Sequence, residues 1–251
     1  DLTWGNYEAY IEIIQQMLRH EGFGAALAKG PKEAAKELGH GAEDMLAHIQ
    51  GEGPMQHDIR GNPGIFWTVL TGSMVGIGAT MGGYMNLAPP EELGLPRVNW
   101  ERIEESLPVM GAYAWKTCAK KFWDDCHGTC FFSTVWVPGA LGYSVRAVAA
   151  AVGWDDFTND EAMRVGERIA TLTRLMSLSR GYTPDQDLDI GPRLLEPQPD
   201  GPRPGASLAP YIQRPRVDFY TEAGWDLNTG QPKPEALRRL GLANYKVGKG
   251  R

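Results

Sequence analysis

Apolar residues in this chain recur mainly at spacings of three and four, and no clear stretch alternates at a period of two. That is the spacing of one helix face, not of a half-buried strand. The expected class is therefore mainly α. Residues 7–20 carry the pattern through Tyr7, Tyr10, Ile11, Ile14, Met17 and Leu18, with Asn6 as N-cap and Gly22 and Gly24 as the stop. Pro31 and Gly39 frame a second helix over 32–38, and one or two further helical turns are expected in 41–49.

Residues 51–64 read as turns. Residues 65–83 are apolar but contain Gly72, Gly76, Gly78, Gly82 and Gly83. So many glycines make a regular exposed helix costly, so the expectation is a packed, partly helical segment that something approaches closely. A proline-rich connector over 87–97 divides the chain into two packed helical domains, 1–86 and 87–251. In the second, helices are expected near 99–106, 109–123 and 139–152. Thr158 and Glu161 form a capping box ahead of a helix to about 178. Its expected apolar face is Met163, Ile169, Leu172, Leu175 and Met176. Residues 181–206 read as a long ordered or semi-ordered loop. Helices near 208–222 and 235–240 follow, the last framed by Pro234 and Gly241.

The 251 residues are 42% hydrophobic, enough for one large core or two small ones. The net charge of -6 comes from mixed acids and bases with no basic stripe, which argues against nucleic acid. No long uninterrupted apolar run suggests a membrane span, and no signal segment opens the chain. A cytoplasmic protein is expected. The chain starts at Asp1, directly in patterned sequence, as a processed or truncated product would.

The densest chemistry is Asp124-Asp125-Cys126-His127-Gly128-Thr129-Cys130, with two carboxylates, an imidazole and two thiols in seven residues. Gly128 lets the backbone turn or approach a ligand. On a helix Cys126 and Cys130 would share a face. The spacing is not a zinc signature, which wants paired Cys-x-x-Cys halves. A zinc site would need Cys126, His127, Cys130 and a fourth ligand, with Cys118 the nearest candidate. The bland alternative is a helix end with buried cysteines. His20, His40, His48 and His57 read as surface or capping residues. Gly-x-Ser-x-Gly, dinucleotide and Walker motifs are absent.

The pattern Asp125-x-x-Gly128-x-Cys130 resembles the second pterin-binding motif of the aldehyde ferredoxin oxidoreductases. Further stretches resemble that family in order: Trp4-Gly5-Asn6 and the region to Gly39, His57-Asp58-Ile59-Arg60-Gly61, Gly166-Glu167-Arg168-Ile169, Arg180-Gly181-Tyr182-Thr183, Phe219-Tyr220 and Gly224-Trp225-Asp226. The resemblance spans nearly the whole chain. It implies the family's C-terminal helical domains, as part of a longer chain or complex. It also implies a tungsten-bis-molybdopterin cofactor (or its molybdenum form) and a [4Fe–4S] cluster.

Carried over by position, Asp125 binds the pterin and Cys130 ligates iron, with Cys126, His127, Gly128 and Thr129 lining the cofactor. Asp1 would be the closing acid of the first pterin motif. The implied partners are an N-terminal part or companion subunit, a ferredoxin or electron-transfer subunit, and a small-molecule substrate; a homodimer is also compatible. The sequence departs from the aldehyde-oxidising members at Thr71–Gly78, where neither their Arg nor their catalytic His is present. That leaves His127 as the histidine placed to act as proton donor. It also leaves room for a related low-potential reaction, such as ring reduction by an aryl-CoA reductase of the benzoyl-CoA type. A non-catalytic helical interaction module is the alternative from another class.

Overall fold

The computed structural model describes residues 2–53, 60, 93–95, 102–134, 137–201 and 203–245. The expectations for Asp1, for the glycine-rich stretch 65–83 and for Thr71–Gly78 lie outside these residues, as does most of the 87–97 connector. The described elements are helical. They are α1 Tyr7–Arg19, α2 Gly22–Leu27, α3 Pro31–Leu38, α4 Ala42–Met45, α5 Ile103–Cys126, α6 Phe131–Thr134, α7 Ala140–Val152, α8 Asn159–Ser179, α9 Pro192–Leu195, α10 Gln213–Ala223 and α11 Pro234–Arg239. Two 3-10 turns, Pro184–Leu188 and Ala209–Tyr211, complete them. The described residues form isolated bridges but no strand.

Local chemistry sets most of the boundaries. Asn6 caps α1 by accepting the Ala9 amide at 3.2 Å, and His20 ends the helix in the left-handed conformation. Gly22 and Gly24 do not stop α1, contrary to expectation; they lie within α2. A Cβ on Gly24 would meet the Gln16 backbone at 2.4 Å, so this glycine is there for close approach. The Thr158–Glu161 capping box is formed in both directions. Pro31 and Pro234 sit in the first turns of α3 and α11, as expected.

The helices expected near 99–106 and 109–123 are one helix, α5, with Pro108 inside it. Pro108 lies near the start, so the acceptor it deprives is Glu104, one turn from the N-terminus. Burial along the remaining turns outweighs that loss. Met110, Tyr113, Ala114, Trp115, Cys118, Ala119 and Trp123 of α5 are all buried.

Helix α5 is the axis of the fold, with α8 and α10 against it. Both crossings use glycine. A Cβ on Gly166 of α8 would lie 1.8 Å from the Ala119 carbonyl oxygen, and one on Gly111 of α5 would lie 2.3 Å from Asp218 Cβ of α10. The expected face of α8 is corrected accordingly. Its buried stripe is Ala162, Gly166, Ala170, Thr171, Arg174 and Ser177, while Met176 is exposed. Small residues were selected because the backbones approach closely, and the bulky ones flank the contact.

Trp115, Phe219, Tyr220 and Trp225 fill the centre with edge-on ring contacts at 5.4–5.8 Å. Burying each large ring contributes roughly 4–6 kcal/mol of transfer free energy. Arg174 is fully buried among them. It binds Asp187 at 2.9 Å, the Gly230 carbonyl at 3.3 Å and Tyr220 Oη, and stacks over Tyr182, Tyr220 and Trp225. Burial first, and then the Asp187 charge, push the Tyr182 and Tyr220 phenols upward. Through Asp187 this cluster anchors the stretch 181–206, which contains a 3-10 turn and the short helix α9.

Substituting Gly166 by Ala should lower stability by about 1–3 kcal/mol, because the added Cβ meets backbone that cannot rotate away. Gly142→Ala is the control. It is helical, and its Cβ would meet only side-chain ends at 3.6 and 4.0 Å, so it should be neutral or gain up to about 1 kcal/mol. Urea denaturation midpoints would read both; equal effects would refute the close-crossing account.

Candidate functional site

The candidate loop is delivered by the C-terminal end of α5. Two charged residues there, Lys120 and Asp124, are 1% and 0% exposed. Lys120 Nζ donates to Asp124 Oδ2 at 3.0 Å, and Thr134 Oγ1 of α6 donates to the same oxygen at 3.0 Å. Asp124 thus joins the helix before the loop to the helix after it. Its backbone carbonyl also accepts the Thr129 amide at 3.3 Å.

Asp125 occupies the next position and points outward. Its side chain is 43% exposed and pairs with Lys121. Cys126 is exposed and its thiol donates to the Trp123 carbonyl at 3.0 Å. His127 forms the C-cap, its ring edge-on to Trp123 at 5.0 Å. Trp123 is itself held by a 2.7 Å hydrogen bond from Nε1 to Ser144 and by packing with Leu141, Val145 and Ala162. The imidazole Nδ1 lies 2.6 Å from Thr129 Oγ1, and Nε2 lies 3.8 Å from Asp124 Oδ1.

Gly128 turns the chain with φ +76, in the left-handed region that favours glycine. A Cβ there would meet nothing within 4 Å among the described residues. The glycine is needed for the turn, and among the described residues open space lies beside it. Cys130 follows, exposed, with its carbonyl accepting the Ser133 amide at 2.9 Å and hydroxyl at 2.6 Å.

The structure thus brings Asp125, Cys126, His127, Gly128, Thr129 and Cys130 together on one surface loop. Two further residues, Lys120 and Asp124, were not singled out as a pair. The available signal was a Lys and an Asp four apart, within reach of each other on one side of a largely buried helix. Cys118 belongs elsewhere. It is fully buried in the core cluster, and burial pushes its thiol up to about 12. That corrects its candidacy as a zinc ligand. Among the described residues, no three of His, Cys, Asp and Glu converge to hold a metal ion.

The donor set fits a shared site rather than a closed one. An outward carboxylate can accept from ring N–H groups of a heterocycle. An exposed thiol can supply one ligand to iron. Open space beside Gly128 admits a group close to the backbone. In metal-free protein a thiol reagent should therefore modify Cys126 and Cys130 in the folded state and Cys118 only after unfolding. Cys126 should react more slowly than an ordinary cysteine, because burial and the neighbouring Asp124 and Asp125 charges raise its thiol. Rapid labelling of three thiols in native protein would contradict this placement.

Comparison with known proteins covers nearly the whole chain. Residues 1–242 match the family described as aldehyde ferredoxin oxidoreductase, domains 2 and 3. The tungsten-containing aldehyde ferredoxin oxidoreductase of Pyrococcus furiosus is 31% identical over 245 residues, covering 96% of this chain and 38% of that protein. Its Pyrococcus horikoshii counterpart is 28% identical over 250 residues, again covering 96% and 38%. The aliphatic sulfonate oxidoreductase WOR-like subunit of P. furiosus is 26% identical over 255 residues, covering 98% of this chain and 36% of the relative. The chain thus spans less than two-fifths of the length of these relatives. It belongs to the aldehyde ferredoxin oxidoreductase family, over the region of that family's helical domains 2 and 3.

Proposed function

We propose that this chain forms the helical part of a tungsten-dependent oxidoreductase carrying a bis-pterin cofactor, with molybdenum as the alternative metal. The observation that carries the reading is the loop Asp125–Cys130. A solvent-facing carboxylate, a left-handed glycine beside open space and an exposed thiol stand side by side at the end of a rigid buried helix. In this reading Asp125 accepts hydrogen bonds from one pterin, and Cys126, His127, Gly128 and Thr129 line it. Cys130 ligates one iron of a [4Fe–4S] cluster, and Asp1 belongs to the site of the second pterin. Residues 1–86 and 87–251 are two helical units around it.

When bound, the metal-pterin group and cluster supply low-potential electron transfer to or from the substrate. The chain's own residues do the rest. Asp125 orients the heterocycle, and His127 is the loop's proton-handling residue. The electron partner is a ferredoxin or a partner subunit, the substrate a small molecule, and the compartment the cytoplasm. Among the described residues no helix is long and apolar enough to cross a membrane.

Relatives are named for aldehyde and for aliphatic sulfonate. The absence of Arg and His at Thr71–Gly78 favours a substrate other than a simple aldehyde. Aryl-CoA reduction of the benzoyl-CoA type is the second reading.

Protein purified anaerobically from its native source should contain tungsten or molybdenum and about four irons per subunit. Cys130→Ser should lower the iron content while leaving the helical circular-dichroism signal unchanged. Metal-free native protein would leave a helical interaction module instead. If an aldehyde supports viologen reduction, His127→Asn should slow it by about 100-fold or more; an unchanged rate would remove His127 from the reaction.

A further inference from the structure

Each nitrogen of the His127 ring faces a different residue. Nε2 is buried 3.8 Å from Asp124 Oδ1, and no described residue hydrogen-bonds to it. Nδ1 is 2.6 Å from Thr129 Oγ1. The edge-on Trp123 ring holds the imidazole in this orientation. A neutral imidazole carries a proton on one nitrogen and a lone pair on the other. A proton on Nε2 places the positive end of an N–H dipole 3.8 Å from the carboxylate oxygen. A proton on Nδ1 would set the Nε2 lone pair against that same carboxylate. Because Nε2 is buried, the electrostatic difference between these two arrangements is enlarged. Lys120 offsets part of the Asp124 charge, but Lys120 and Thr134 both bind Oδ2, the other oxygen.

We infer that Asp124 is a positioning residue that holds His127 as the Nε2–H tautomer, with the Thr129 hydroxyl donating to Nδ1. His127 then meets a ligand of the loop through Thr129 and not through its own ring. Nε2 is sealed against Asp124, whereas Thr129 is only partly buried. A proton taken from a ligand by the Thr129 oxygen is matched by the hydroxyl proton passing to Nδ1. The hydroxyl is regenerated and an imidazolium faces Asp124; the reverse sequence delivers a proton. The use of this path in turnover rests on the metal-pterin reading. The tautomer does not, so metal analysis and ring spectroscopy fail independently.

The test is histidine ring-nitrogen NMR on the whole ¹⁵N-labelled protein above the pH of imidazole titration, with His127→Gln to assign the signals. The native His127 ring should show a protonated Nε2 and a bare Nδ1. Thr129→Val should move the Nδ1 resonance downfield by removing its donor, and Thr129→Ser should restore it. Asp124→Asn should give a mixture of tautomers. That variant leaves the Lys120 charge without its anionic partner and can fail to fold; the Thr129 variants then decide the matter on the exposed side of the ring. A native ring protonated at Nδ1, or an Nδ1 resonance unmoved by Thr129→Val, overturns the inference.

Discussion

Where α8 crosses α5, a Cβ on Gly166 would lie 1.8 Å from the Ala119 carbonyl oxygen, so the two backbones touch with no side chain between them. On its other side α5 meets α10 at Gly111 in the same way. A helix gripped at this distance on two sides has little freedom to tilt or slide, because close-packed interiors admit no empty space for movement. The last turns of α5 inherit that rigidity. They carry Trp123 into one apolar cluster and Asp124 into a buried ion pair. The Asp125–Cys130 loop is therefore mounted on a helix held by close backbone contacts on two sides.

The charges at the end of α5 are not explained by stability. A buried ion pair costs desolvation that its own attraction barely returns, and well-packed apolar residues often do as well or better. Lys120 and Asp124 nevertheless sit almost fully buried, and Asp124 also gathers the Thr134 hydroxyl and lies near the His127 ring. Their arrangement makes sense as local organisation. One carboxylate fixes the relation between α5, α6 and the imidazole, which apolar side chains of the same volume could not do by direction.

Period and caps were readable in the sequence because both are local. Asn6, the Thr158–Glu161 box, Pro31 and Pro234 act within one turn, and the described helix starts agree with them. The face of α8 was misread because hydrophobicity was taken as the mark of contact. At a glycine crossing the mark is small size, and Ala162, Gly166 and Ala170 score poorly as hydrophobes. Helix α1 fails differently. Its apolar stripe of Tyr10, Ile11, Ile14 and Leu18 forms the expected helix, yet none of its residues is buried among the described residues. Periodicity identifies an amphipathic element and says nothing of what the apolar face meets. In the loop, the run Asp124–Cys130 stands out in the sequence as a dense cluster of carboxylates, thiols and an imidazole. The bond from Thr134 to Asp124, ten residues apart, leaves no such mark in the order of residues.

The three cysteines divide by environment into two kinds. Cys118, sealed in the aromatic core with its thiol pushed up to about 12, behaves as a small apolar side chain. Cys126 and Cys130 face solvent on the loop. A [4Fe–4S] cluster takes four thiolates, and the described residues offer at most these two exposed ones. All three cysteines of the sequence are described, so a cluster held at Cys130 would draw at least two of its thiolates from outside this sequence. The loop itself is held in place by α5 and by the Asp124–Thr134 contact to the helix after it.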